Sequence, residues 1–416
     1  MIKIVEAKDF SREEISIKTP DVSKTVSEII DNVRLNGDKA VIDYEAKFDG
    51  VKLSSLEVSE GEIQDALKKV GNDYVSMLER AAKNIREFHS KQVRNGFAFS
   101  RQNGAILGQR VIPLERVGLY VPGGTASYPS SVLMNAIPAK IAGCDEIFIA
   151  TPPEIKNEII AAAHVAGVNK IFKMGGAQAV AALAYGTESV KKVDKIVGPG
   201  NIYVAEAKRQ VFGRVAIDMI AGPSEILIVA DENNNPAYLA ADMLAQSEHD
   251  KLASAILLTN SRELAERVSS EIEAQIVKLI RHDIARVSVD NQGRIILVDE
   301  LEEAVKIANE IAPEHLEICT ANPFLMLTKI RNAGSVFLGS YTPEALGDYY
   351  AGPNHTLPTM GTARFSSPLS VDDFIKKSQY IFYTPEALNE ASFDIENFAN
   401  SEGLTGHANS VVIRRG

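Results

Sequence analysis

Several short stretches of this 416-residue chain gather residue types that do chemistry. Gln246 and His249 stand three apart in PAYLAADMLAQSEHDKLA, a stretch of helical character from Ala237 to Lys251. Residues at i and i+3 share a helix face, so both side chains can reach one ion. A neutral imidazole is the commonest nitrogen ligand for zinc. Glutamine is a weak one, and an isolated Gln/His pair on a helix is more often a surface pair. Pro313-Glu314-His315 follows a helical stretch at 301–311 and opens a strand. An imidazole can take an alcohol proton and a carboxylate can activate water. The plain alternative is an exposed pair at a helix–strand junction. Asp348 and His355 share the loop ALGDYYAGPNHTLPT, where they could complete a hard-ligand site. Taken singly, an N-capping role is the simpler explanation. Glu402 and His407 lie in EGLTGH close to the end of the chain, where termini usually fray. The turns GGAQ (175–178) and GPGN (198–201) follow strand-like runs, and glycine turns at strand C-termini are where open parallel sheets bind ligands. A GxGxxG is absent, so each turn alone is a weak signal.

These groups need elements to hold them. Val22, Val26, Ile29, Ile30 and Val33 recur with helical spacing, with Gly37 as the stop. Leu78, Ala81, Ala82, Ile85 and Phe88 mark the apolar face of a second helix ending near Gly96. Asn103-Gly104 predicts a type I′ hairpin between 97–101 and 105–111. From Val117 onward, strand-like runs alternate with amphipathic helices: VGLYV (117–121), EIFIA (146–150), KIFKM (170–174) and DKIVG (194–198). The alternation returns after Gly222 with ILIVA (226–230), SAILLT (254–259), IILV (295–298) and SVFLG (335–339). Such alternation means parallel sheets with helices on their faces, here in two α/β layers. The loop 339–365 is long enough to suggest function. YTPEAL occurs at 341–346 and 383–388 and reads as a helix-start recipe, with Thr at N-cap and Pro at the first helical position.

Composition narrows the class. Hydrophobic residues make up 45% and charged residues 24%, as in a soluble globular protein of two or three domains. A net charge of −11, with no basic stripe, argues against nucleic-acid binding. Two cysteines build no disulfide framework, and no CxxC pair offers a thiolate zinc site. No apolar run approaches the ~18 residues that span a bilayer, and MIKIVEAKDFSREE lacks an apolar signal core. The expectation is a cytoplasmic protein with no membrane partner.

Seven segments stand in one order: RVGLYVPGG (116–124), VDKIVGPGN (193–201), IAGPSE (220–225), AQSEHD (245–250), APEHLEI (312–318), GPNHTLPT (352–359) and EGLTGHANSV (402–411). Together they resemble the histidinol dehydrogenase family, from about residue 20 to the end. The resemblance implies one zinc per subunit on Gln246, His249, Asp348 and His407. It implies Glu314 and His315 as the catalytic pair. Substrate contacts fall on Ser224, Gln246, His249, His315, Asp348, Glu402 and His407, and NAD contacts on Tyr120, Gln178 and Asn201. It also implies an α/β fold of two incomplete Rossmann-like parallel-sheet domains, with small N- and C-terminal helical segments, in a domain-swapped homodimer. The boundaries expected are a segment 1–20, a first domain of 21–117 and 223–370 with the zinc and catalytic residues, a second of 118–222 on the NAD side, and a swapped segment 371–416 that completes the partner's site.

The activity implied is a four-electron oxidation of L-histidinol to L-histidine through a bound aldehyde, using two NAD, in the last steps of histidine biosynthesis. His315 would take the alcohol proton, and Glu314 would activate water for the aldehyde. Zinc would position the substrate. The nearest alternative is a zinc- and NAD-dependent dehydrogenase of another small polar alcohol. A zinc hydrolase would need no nucleotide, and no HExxH supports it. A non-catalytic imidazole-binding module would have no use for the Glu-His pair.

Overall fold

A computed structural model describes residues 1–11, 20–123 and 128–415. Gly124, the last residue of the RVGLYVPGG segment, and residues 12–19 of the expected N-terminal segment lie outside the described residues. The strands in chain order are β1 (Lys3–Glu6), β2 (Phe97–Ser100), β3 (Ile106–Pro113), β4 (Arg116–Tyr120), β5 (Glu146–Thr151), β6 (Lys170–Lys173) and β7 (Lys195–Val197). They continue with β8 (Ala216–Ile217), β9 (Glu225–Ala230), β10 (Ser254–Thr259), β11 (Arg294–Leu297), β12 (His315–Cys319), β13 (Ser335–Leu338) and β14 (Ile375–Phe382). The chain divides into two compact units. One comprises Met1–Gln92 and Glu115–Phe374; the other comprises Val93–Leu114 and Ile375–Gly416.

The first unit holds two parallel sheets. One has the order β6-β5-β4-β7-β8, and the other β1-β11-β10-β9-β12-β13. From β4 in one and β9 in the other, the chain steps outward from a central strand and then returns to the other side of it, and β1 adds an edge strand beside β11. That is the strand order of a doubly wound nucleotide fold lacking its last strand. Apolar runs explain why these strands are central. Along β9, Ile226, Ile228 and Ala230 pack with Leu239, Met243, Val268 and Ile272 on one face. Leu227 and Val229 pack with Ala304, Ala308 and Ile311 on the other. Burial of each such aliphatic side chain contributes roughly 1.5–3 kcal/mol. Asn235 caps the helix Pro236–Ser247 by accepting from Ala237 N–H at 3.0 Å, with Pro236 at the first helical position.

Gly37 does not end its helix. The helix Ser23–Phe48 continues through it across a kink, with Gly37 at φ 54°, ψ −136°. A side chain there would also meet the carboxylate of Glu188, which accepts from Asp38 N–H at 2.8 Å. A helix not expected, Glu60–Val70, follows; the expected second helix is Asn72–Ser90, ending short of Gly96, and Phe88 is exposed.

The second unit is an antiparallel sheet, β14-β3-β2, with helices Pro385–Ser401 and Thr405–Val412. Its hairpin is not type I′. Gly104 alone takes positive φ, at 80°, Gly104 N–H donates to the Arg101 carbonyl, and Arg101 N–H donates to the Ala105 carbonyl at 2.8 Å, which leaves 102–104 as the loop. This is a three-residue loop closed by a left-handed glycine. The C-terminal segment, expected to be helical, also contributes the strand β14. No described helix is long and apolar enough to cross a membrane.

Gly37→Ala forces an L side chain into a backbone region open almost only to glycine. It should cost about 1–3 kcal/mol in urea denaturation. An unchanged midpoint and slope would show that the kink relaxes freely.

Candidate active site

The site is built at the amino ends of β9 and β12. The helix Leu301–Ile311 stops at Ala312, which takes φ 54°, and Pro313 directs the chain into β12. Gly334 lets β13 approach closely, since a Cβ there would lie 2.5 Å from the Glu314 carbonyl oxygen. Glu314 and His315 are therefore buried, at 6% and 3% exposure, and the exposed-pair alternative is excluded. Glu314 Oε2 accepts from Glu225 N–H at 2.9 Å. His315 Nδ1 lies 3.1 Å from the Glu225 carbonyl oxygen, so it carries the proton and donates. That leaves Nε2 as the basic nitrogen. Nε2 has no hydrogen-bond partner and lies 3.6 Å from Asp348 and 3.9 Å from Glu344.

Carboxyl groups crowd this imidazole. Burial lowers the pKa of His315, but Glu344, Glu314 and Asp348 outweigh that and hold it well above the ordinary histidine value. Burial pushes Glu314 up to about 7 and Glu344 up to about 8. At Asp348 burial is outweighed by His315, His355 and His249, and its carboxyl stays below the ordinary range. Burial keeps His249 below the usual imidazole value and therefore neutral, the form that ligates metals.

Glu344 is the residue that sequence reasoning missed. Its segment was read as a helix start, but in the first YTPEAL copy Pro343, not Thr342, is the N-cap, and the helix Glu344–Leu346 is a single turn. Glu344 is 2% exposed and faces the buried Gln246 amide. With the amide oriented to satisfy its neighbours, Gln246 donates to the Glu344 carboxylate, 2.7 Å from Oε2, and accepts from Glu225 N–H at 3.1 Å. In the second copy Thr384 does cap its helix, accepting from Ala387 N–H at 3.2 Å.

The other expected residues are placed as follows. The helix carrying Gln246 ends at Ser247, so His249 lies in the turn beyond it, where His249 N–H donates to the Gln246 carbonyl at 3.2 Å. Asp348 lies on a π-helical turn, Gly347–Ala351, a distortion frequent at functional sites. His355 bonds through both nitrogens, to the Asp348 carbonyl at 3.0 Å and to Ser131 Oγ at 3.2 Å, so it supports the Asp348 turn. Ser224 directly precedes β9, and its carbonyl accepts from Ser254 N–H at 3.0 Å. Glu402 and His407 belong to the second unit, exposed at the end of one helix and the start of the next.

On the other parallel sheet, Tyr120 ends β4 and Gln178 lies in the first turn of the helix Gly176–Tyr185. Both are buried, and Tyr120 Oη accepts from Gly176 N–H at 3.1 Å. Asn201 is exposed and caps the helix Ile202–Val211, accepting from Tyr203 N–H at 3.0 Å. The GPGN turn is braced by a buried ion pair: Lys208 meets Asp218, and Asp218 accepts from Gly198 N–H at 2.7 Å.

Ligand atoms of His315, Glu344 and Asp348 all lie within 4.8 Å of one another. Asp348 Oδ1 is buried without a hydrogen-bond partner. The unpartnered Asp348 oxygen beside the Glu344 carboxyl is a hard donor pair that fits a divalent cation. This cluster shares Asp348 with the expected zinc set and adds Glu344 beside it.

Comparison with known proteins decides the family. The family model of histidinol dehydrogenase matches residues 11–415. The chain belongs to the histidinol dehydrogenase family. A histidinol dehydrogenase of Clostridium acetobutylicum is 57% identical over 398 residues, 95% of this chain and 92% of that one. One of Bacillus cereus is 55% identical over 406 residues, covering 97% and 95%. The crystal structure of histidinol dehydrogenase from Elizabethkingia anophelis matches at TM-score 0.93 and 37% identity, covering 99% and 98%. An acetylating aldehyde dehydrogenase of Geobacillus thermoglucosidasius matches at TM-score 0.50 and 14% identity, a likeness of fold alone. The resemblance carried by the seven segments thus holds over the chain, and the protein is an oxidoreductase of this family.

Beneath the site, the Asp242 carboxyl meets that of Glu317, and Glu317 accepts from Glu344 N–H at 2.9 Å. Burial raises both carboxyls, Asp242 to about 6. A raised carboxyl contributes stability that is full below its unfolded value and is lost as pH rises through its folded one. Asp242→Asn keeps a donor to Glu317 and removes one titration. The fall in melting temperature from pH 5 to 8 should therefore be shallower than in the wild type. An equal fall would show that the pair is not sharing a proton.

Proposed function

We propose that this chain oxidises L-histidinol to L-histidine in two hydride transfers to NAD, with His315 as base and Glu314 as activator of water. The observation that carries this reading is the buried Glu314–His315 pair, whose Nδ1–H is fixed on the Glu225 carbonyl so that Nε2 is the nitrogen left to gain and lose a proton. In the first step Nε2 accepts the alcohol proton as hydride leaves to NAD, giving a bound aldehyde. Glu314, with Oε2 held by Glu225 N–H, uses its other oxygen to take a proton from water as that water adds to the aldehyde, while Nε2–H returns its proton to the aldehyde oxygen, giving the gem-diol and freeing Nε2. The gem-diol then loses its second hydride to a second NAD, and Nε2 takes the hydroxyl proton. Holding the aldehyde in a buried site prevents its escape.

Gln246, His249 and Asp348 would hold zinc, with His407 supplied by a second copy of the chain. Zinc so bound would fix the substrate's imidazole and amine, and positioning of that kind is a large part of catalysis. Ser224 and Glu402 would add substrate contacts, and Tyr120, Gln178 and Asn201 would form the nucleotide side. The homodimer is supported by the second unit itself: Phe97, Phe99, Ile381, Phe393 and Phe398 are exposed there, along with Glu402 and His407. Sedimentation of the zinc-loaded protein as a monomer would remove this part of the reading.

With limiting histidinol and excess NAD, two NADH should form per histidinol, lost on chelation and restored by zinc. One NADH would mean that the aldehyde escapes. Glu314→Gln should spare alcohol oxidation and slow aldehyde oxidation by about 10²-fold or more. Because Glu314 must be ionised to take a proton, the wild-type aldehyde step should rise with pH through about 7. That limb should vanish in Glu314→Gln. Equal losses in both half-reactions would contradict the division of roles.

A further inference from the structure

The nucleotide side contains a buried carboxylate with no part in the chemistry above. The kinked helix Ser23–Phe48 delivers Glu45, fully buried, to the start of the helix Gly176–Tyr185. One carboxylate oxygen accepts from Gly175 N–H at 3.0 Å and from Gln178 Nε2 at 2.9 Å. The next backbone donor, Gly176 N–H, is taken by Tyr120 Oη at 3.1 Å. The second Glu45 oxygen is buried without a hydrogen-bond partner.

A helix start behind a glycine turn at the carboxyl end of a parallel strand is where a dinucleotide fold holds a diphosphate. Here the chain's own oxygens already occupy the first two backbone donors. The same carboxylate holds the Gln178 nitrogen, so the amide oxygen is the atom left for a ligand. That oxygen accepts no hydrogen bond among the described residues. We propose that Glu45 is a positioning residue of the nucleotide side: it stands in for phosphate at this helix start and turns the Gln178 carbonyl toward a hydrogen-bond donor of the bound nucleotide. This rests on the reading that Tyr120 and Gln178 contact NAD. The donor is an amino or hydroxyl group of the adenosine, and the diphosphate lies away from this helix.

The groups facing Glu45 are Asp49 on its own helix, the Tyr120 phenol from β4, and the Gly175 N–H and Gln178 amide. Burial, with a further push from Asp49, raises its carboxyl to about 7. The ionised form accepts both hydrogen bonds, and the neutral form holds them weakly. Affinity for NAD should therefore fall as pH drops from 8 to 6.

The test is NAD binding by calorimetry on the zinc-loaded protein, with histidinol affinity and melting temperature measured alongside. Glu45→Gln should weaken NAD binding about tenfold at pH 8, the worth of one charged hydrogen bond. Its affinity should be flat with pH and meet the wild type near pH 6. Histidinol affinity should stay within about twofold on the same scale. Glu45→Asp keeps the charge but withdraws it from Gln178, so it should bind NAD weakly yet retain the pH dependence. Wild-type NAD binding by Glu45→Gln at pH 8 would overturn the proposal. So would parallel loss of NAD affinity, histidinol affinity and melting temperature, which a purely structural role predicts. Failure of the wild type to bind NAD while it binds histidinol would instead overturn the cofactor reading, and this assignment with it.

Discussion

The structure is organised around a buried imidazole ringed by carboxyl groups. Glu314, Glu344 and Asp348 face His315, and Glu317 and Asp242 lie just behind. Among the described residues none of the five pairs with lysine or arginine. Burying so many acids unpaired would cost several kcal/mol for each ionised group. The protein meets that cost with retained protons and with the imidazoles of His315, His249 and His355. The remaining mismatch at Asp348, a buried carboxylate oxygen with unused lone pairs, is what a cation would satisfy. Three separate pieces of chain must be held against their mutual repulsion to make this pocket: the end of helix Pro236–Ser247, the start of β12 and the turn 344–348. The apolar faces of β9 and its helices supply the rigid frame.

Two sheets of the same strand order are used from opposite edges. In the β4–β8 sheet the proposed nucleotide residues follow the carboxyl ends of strands, as doubly wound folds lead one to expect. In the other sheet that edge is filled by the chain itself. Asp231 accepts from Ala321 N–H at 2.7 Å, and Asn234 donates to the Cys319 carbonyl at 2.6 Å and accepts from Ser340 Oγ at 2.7 Å. The reactive pair sits at the amino edge instead, with Glu225 and His315 each the first residue of its strand. Both Rossmann-like halves thus persist as scaffold, while only one keeps the customary ligand edge.

The parallel sheets were legible in the sequence because a strand buried on both faces must be an unbroken apolar run, and EIFIA, ILIVA and SAILLT are such runs. The edge strand IKKSQYIF was not, since exposure frees its composition from that constraint. Gly37 was identified as a break but not as a kink, because a positive-φ glycine ends one helical run whether or not another follows. Asp348 and the Glu314–His315 pair stood out through residue type. Glu344 did not, because a glutamate after Thr-Pro is the ordinary mark of a first helical turn. Only its burial against Gln246 separates the two roles. Glu402 and His407 stood out by residue type in a glycine-spaced tail, the family resemblance alone gave them roles, and the second unit leaves both side chains in the open.

The claim on which everything else turns is that this acid-rich pocket is built to hold a cation. Equilibrium dialysis of metal-free protein against zinc tests it directly. The account predicts one zinc per chain, with binding weakened by orders of magnitude in Asp348→Asn and in His249→Ala, and a melting temperature that rises with zinc in the wild type alone. Zinc bound with equal affinity by both variants, or not at all by the wild type, would contradict it.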